Sequence, residues 1–202
     1  YLIEVHNNHP TDFEVTTLHR KIRATFALTL METSNFDEGY ALVKEVMVNP
    51  YNYAGLDEES ENILYYALDK YIQQLVKENN FEEASLVLEN TGNNCLSHAI
   101  CSTSLRHVYL SWAGQHWEIR NWKQILHILY NFPGINDQKD ENSPLRSNLV
   151  KAYVNWSDEL VWDGDWEIAV AKLEECLEKI SEAALCSLAL EKITAKRNAG
   201  YL

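Results

Sequence analysis

The residues able to do chemistry in this chain are seven histidines, four cysteines and thirty carboxylates, and their spacing decides what that chemistry would be. The histidines are His6, His9, His19, His98, His107, His116 and His127. None stands in a His-Glu-x-x-His or Glu-x-x-His pairing, the spacings that bring metal ligands onto one helical face. Cys95, Cys101, Cys176 and Cys186 form no Cys-x-x-Cys pair and suggest neither a zinc site nor a disulfide framework. Each lies among Leu, Ile and Ala in a predicted helix. There a buried thiol stays protonated and packs as a small hydrophobe. Asp163-Gly164-Asp165-Trp166-Glu167 with Glu174 imitates part of a calcium loop, but Ile168 stands where that loop needs glycine, so a turn between helices is expected. Adjacent carboxylates such as Glu82-Glu83 and Glu174-Glu175 read as solvated helix faces. Glycine-rich phosphate loops are absent from the sequence. No catalytic residue, metal or cofactor is expected, and the chain does not read as an enzyme.

Composition narrows the class. A chain of 202 residues with 46% hydrophobic and 11% aromatic residues has enough apolar surface to fold. Seven Gly and four Pro are too few for a fold of many short strands. The formal charge of -13 opposes nucleic acid, whose binding relies on Lys and Arg displacing counterions. No apolar run reaches the roughly 18 residues of a membrane span, so no membrane insertion is expected. Asn155-Trp156-Ser157 matches a glycosylation acceptor but lies in a strongly helical stretch. Unpaired cysteines point to an intracellular location, cytoplasmic or nuclear. The chain begins at Tyr1 in what reads as the tail of a helix, which suggests a piece of a longer protein.

The elements that position these residues repeat. Ser34-Asn35-Phe36-Asp37-Glu38, Asn79-Asn80-Phe81-Glu82-Glu83, Arg120-Asn121-Trp122-Lys123-Gln124 and Gly164-Asp165-Trp166-Glu167-Ile168 each join a turn, an aromatic residue and a helix start. The anchors Phe36, Phe81, Trp122 and Trp166 are 45, 41 and 44 residues apart. Asn or Asp before each anchor suits an N-cap. Three residues past the anchors stand Gly39, Ala84, Ile125 and Ala169; seven past stand Val43, Leu88, Leu129 and Leu173, a single apolar stripe. Ten before stand Phe26, Tyr71, Trp112 and Trp156, followed by Ala27, Ile72, Ala113 and Ser157; six before come Leu30, Leu75, His116 and Leu160. Large, small, then large is what a facing helix needs for close approach.

First helices are predicted at about 12–33, 57–78, 97–117 and 144–162, second helices at about 36–48, 81–90, 121–131 and 165–180, and a last helix at about 182–197. Thr11 with Glu14 reads as a capping box, and Ser143-Pro144 as an N-cap with proline in the first turn. The acidic segment from Gly134 to Glu141 is the longest connection, with a possible flexible joint near 134–143.

These columns resemble the tetratricopeptide repeat, with residues Tyr153, Trp156, Ser157, Leu160, Gly164, Trp166, Ala169 and Leu173 matching best and Pro50 following the second helix of the first unit. The resemblance covers about 11–180. It departs in its period, which in the family is about 34, in Ile125 where the family has alanine, and in Arg120 where it has glycine. It implies an all-α, right-handed α-solenoid of about four antiparallel helix pairs plus a C-terminal capping or continuing helix, forming one domain over 1–202. The family's concave-face offsets fall on Lys21, Tyr66, His107 and Lys151; Leu28, Gln73, Gly114 and Asp158; Met31, Val76, Trp117 and Val161; and Glu32, Lys77, Glu118 and Trp162. From these, Lys21, Met31, Tyr66, Gln73, Lys77, His107, Trp117, Lys151, Asp158 and Trp162 are the expected partner-binding groove. The competing reading is that the longer helices bury the column of Met31, Val76, Trp117 and Val161 against a neighbouring repeat. The family's basic carboxylate clamp is only partly filled.

The implied function is a protein interaction scaffold for a partner peptide or helix, open to assembly with further repeats of a parent chain. A sensor that binds a small peptide or metabolite and regulates an attached output domain is the alternative. A toroidal enzyme is disfavoured, because four hairpins do not close a ring.

Overall fold

The computed structural model describes residues 13–48, 57–91, 98–135 and 143–199. Nine α-helices occupy them: α1 Phe13–Glu32, α2 Phe36–Val48, α3 Glu58–Lys77, α4 Phe81–Asn90, α5 Ala99–Glu118, α6 Trp122–Tyr130, α7 Pro144–Asp163, α8 Trp166–Lys179 and α9 Ala184–Asn198. No strand occurs among the described residues, so the fold is all-α. The chain divides into two compact units, 1–108 and 109–202, and the division falls within α5. Thr11, Pro50, Cys95, His6, His9 and most of the 134–143 segment lie outside the described residues.

Each hairpin turn is closed in the same way. Ser34, Asn79, Arg120 and Gly164, each two residues before its aromatic anchor, have φ of 65°, 63°, 54° and 89°. The next residue donates its backbone N–H five residues back: Asn35 to Leu30, Asn80 to Leu75, Asn121 to His116 and Asp165 to Leu160, at 2.8–2.9 Å. The left-handed residue donates three back, to Met31, Val76, Trp117 and Val161. This nested pair of bonds is the Schellman closure of a helix end. The expected side-chain caps are less uniform. Asn121 accepts from the Gln124 N–H at 3.3 Å, whereas Asn80 and Asp165 make no side-chain cap bond. Asp57 caps α3 by accepting from the Ser60 N–H at 2.7 Å.

In the first unit, α1 packs on α2 and α3, α2 on α3, and α3 on α4. The small column makes this possible: Ala27 and Ala84 are fully buried, and a Cβ built on Gly39 would stand 3.0 Å from the Met31 side chain and 3.2 Å from the Ala27 carbonyl. Val43, Leu64, Leu68, Ile72 and Leu88 complete the core; each such side chain contributes about 1.5–3 kcal/mol by leaving water. Tyr40 of α2 stacks on Tyr71 of α3 with ring centroids 4.4 Å apart. Phe26 departs from its expected column. It is 55% exposed, since no described helix precedes α1 to cover it.

In the second unit, α6 packs on α7, α7 on α8, and α9 on both α7 and α8. Ala113, Ile125, Leu129, Ala169 and Leu173 are buried. Ile125, where the resemblance called for alanine, is itself fully enclosed. Asn155-Trp156-Ser157 lies inside α7 with Ser157 fully buried.

The reading of the cysteines as unpaired is overturned. Cys176 at the end of α8 and Cys186 at the start of α9 form a disulfide, with Cα atoms 6.4 Å apart. Cys101 is also disulfide-bonded, and among the described residues no cysteine is free. The ten-residue separation brackets a helix–helix turn. Folding back across it brings the two thiols together on buried faces, a proximity that linear spacing motifs do not register.

Two outcomes follow for stability. Gly164→Ala meets open space but a positive φ, so it is expected to cost about 1 kcal/mol from backbone strain alone, whereas Arg120→Gly is expected to cost less or to stabilise. Replacing Cys176 and Cys186 together by Ser is expected to lower stability by about 3 kcal/mol through the freed loop. Both are read from urea unfolding of the variants.

Candidate functional site

The expected groove residues divide between the two units and meet different fates. In the first unit Lys21 forms an ion pair with Glu59 of α3, which raises its pKa, and so its charge is neutralised across α1 and α3. Met31 is a correction: at 2% exposure it packs against Gly39 and offers nothing to a partner. The cover is α2 of the same hairpin, at Gly39, and not a neighbouring repeat as the competing reading had it. Gln73 donates to Asp69 at 2.6 Å, and Asp69 also accepts from the Ser104 hydroxyl of α5 at 2.5 Å. Tyr66, Lys77 and His107 are exposed.

In the second unit Trp117 is half-buried and meets Trp122 edge to face, with centroids 5.4 Å apart. Lys151 is exposed. Trp162 is 90% exposed. Asp158 lies in a cleft of about 370 Å³ with Val154 and Val161 of α7 on one side. Leu185, Leu188, Lys192 and Lys196 of α9 form the other side. A second cleft of about 550 Å³ lies between the start of α8, at Trp166 and Ile168, and Ile193 and Arg197 of α9.

Comparison with protein-family models, curated proteins and solved structures gave no match.

The α9 residues of both clefts escaped the sequence reading because α9 lacks an aromatic anchor and therefore lay outside the repeat columns. The signal was present: Leu185, Leu188, Ala189, Lys192, Ile193 and Lys196 follow a three-four spacing along one helical stripe.

Glu175 corrects the assignment of the carboxylate pairs to solvent. Glu174 is exposed, but Glu175 is only 28% exposed. It accepts from Lys172 at 2.7 Å, from Lys179 at 2.6 Å and from the Tyr153 hydroxyl at 3.1 Å. Burial pushes its carboxyl up, but these donors outweigh burial and hold it down at about 2. Tyr153 is buried and lies 3.2 Å from the Tyr130 hydroxyl; burial first, then this contact, raises its pKa. Lys172 also sits 4.6 Å over the Trp156 ring and Lys179 5.2 Å over Tyr130. The cluster joins α6, α7 and α8 through one carboxylate shared by two lysines.

The remaining candidates have structural settings. His98 stacks on Tyr65 at 3.8 Å. His116 is half-buried, and among the described residues its Nδ1 has no hydrogen-bond partner. Among the described residues no group of three His, Cys, Asp or Glu side chains could hold a metal ion. The acidic run around Gly164 is an interhelical turn with the Schellman bonds described above.

Glu175→Gln is expected to cost roughly 2 kcal/mol at neutral pH, because it weakens three bonds to a charged acceptor. A carboxylate held below its ordinary value of 4.5 contributes stability above that pH, which is lost as pH falls toward about 2. The difference in unfolding free energy between Glu175→Gln and the unaltered chain should therefore shrink between pH 4.5 and 2; a constant difference would contradict the assignment.

Proposed function

We propose that this chain is a protein-binding module of the tetratricopeptide-like class, and that its second unit presents the binding surface to a partner peptide or helix. The right-handed stacking of pairs into a solenoid, and assembly with further repeats, belong to the same reading. The turn closure common to all four hairpins supports it.

The observation that carries the function is the apolar surface of the second unit. Trp162, Leu185 and Leu188 are 90%, 52% and 47% exposed, and Val161, the residue before Trp162, lines the α7–α9 cleft. Single exposed apolar residues are ordinary, but Leu185 and Leu188 line one cleft, and Trp162, outside that lining, is next to Val161 in sequence; such a surface suits burial by a partner. Tryptophan in particular anchors interfaces because a rigid side chain buries a large area.

A second reading, the sensor, is favoured by one feature. The α8–α9 cleft of about 550 Å³ falls within the size range of small-molecule sites. A peptide or metabolite there would bias the seating of α9.

The expected intracellular location rested on unpaired thiols, and that ground is gone. Paired cysteines favour an oxidising compartment. No described helix is long and apolar enough to cross a membrane.

Trp162→Ala should reduce capture of native partners by the full chain at least tenfold while leaving thermal unfolding unchanged, since the side chain is almost wholly solvated. Unchanged capture would remove Trp162 from the surface. A stabilising shift from a metabolite panel, abolished by Ile168→Glu, would instead favour the sensor.

A further inference from the structure

The α7–α9 cleft combines an apolar lining with two lysines. Val154, Asp158 and Val161 form one wall at spacings of four and three on α7, and Leu185, Leu188 and Ala189 open the other on α9. Two adjacent helical stripes leave a furrow that accepts the ridge of a third helix. Farther along α9, Lys192 and Lys196 line the same cleft, and Arg197 follows. Between α1 and α3 of the first unit, the basic residue Lys21 is neutralised by Glu59. Among the described residues neither Lys192 nor Lys196 has such a carboxylate partner. In a chain of net charge -13, these two lysines make a local reversal of sign beside an apolar furrow.

We propose that this cleft docks an amphipathic helix of a partner protein, with its apolar stripe against Val154, Val161, Leu185 and Leu188 and acidic residues on its flank facing Lys192 and Lys196. The proposal rests on the binding-module reading and specifies its site and partner class. Charge selects both the partner and its direction along the cleft. An acidic flank is repelled by most of the chain's surface and attracted at the lysine end, whereas a basic flank would meet only Asp158 there. The disulfide between Cys176 and Cys186 holds the start of α9 on α8, so one wall of the cleft is fixed before binding.

The test is selection of a displayed library of helix-forming 16-residue peptides on the intact, oxidised chain. Leu188→Glu and the double variant Lys192→Glu/Lys196→Glu serve as parallel targets, each first shown to unfold at the temperature of the unaltered chain. The expected winners carry apolar residues at i, i+3 or i+4 and i+7 with flanking Asp or Glu, and bind Leu188→Glu at least tenfold more weakly. On the double variant the preference should invert to Lys- or Arg-flanked helices. Winners that bind Leu188→Glu equally well would overturn the cleft assignment while leaving the binding-module reading standing. Winners with no acidic preference and no response to charge reversal would overturn the partner chemistry. Self-association of the unaltered chain that Leu188→Glu abolishes, without peptide enrichment, would assign the cleft to a second copy and overturn the proposal. No enrichment on any target would count against both readings.

Discussion

The hairpins depend on one backbone constraint, the left-handed residue that closes each of the four first helices. With Ser34, Asn79, Arg120 or Gly164 at positive φ, the chain reverses within three residues and the next helix starts at a fixed place relative to the last. The aromatic anchor then lands at the helix start. The residue three positions later faces the preceding helix, where Gly39, Ala84, Ile125 and Ala169 are all buried. Three of the four turns use a residue with a Cβ, for which left-handed backbone is unfavourable by about 1–2 kcal/mol. That the geometry persists means that packing of the paired helices outweighs the local cost.

The second unit carries cross-links beyond apolar packing. Glu175 gathers Lys172, Lys179 and Tyr153 into one bonded cluster, so it positions α8 on α7. Trp122 donates its indole N–H to Glu159, which also pairs with Arg120 at 3.6 Å, so the left-handed turn is tied to α7. The disulfide secures the last helix. Among the described residues, Lys192 and Lys196 of α9 have no carboxylate partner, and Leu185 and Leu188 beside them are exposed.

The helical pairs were legible because they rest on short-range rules. Anchors at near-constant spacing and small residues three positions on predict helix ends within about two residues of those observed, and α2 and α4 agree at both ends. The groove was legible only in part. Of the expected groove residues, Asp158 lines the α7–α9 cleft, whereas Met31 is buried because Gly39 lets α2 close over it. Phe26 stands in the same column as the buried Tyr71 but is exposed.

The sequence alone determined the all-α class, the hairpin boundaries and the buried small and apolar columns, since each is a matter of residues within one or two turns of one another. Only the tertiary structure decided which cysteines pair, which of two adjacent glutamates is solvated, and where α9 places its leucines and lysines. Those outcomes turn on side chains from different helices, 10 residues apart between Cys176 and Cys186 and 22 between Tyr153 and Glu175. Contacts of that range are set by how one helix seats on another, and no periodicity within a single helix encodes them.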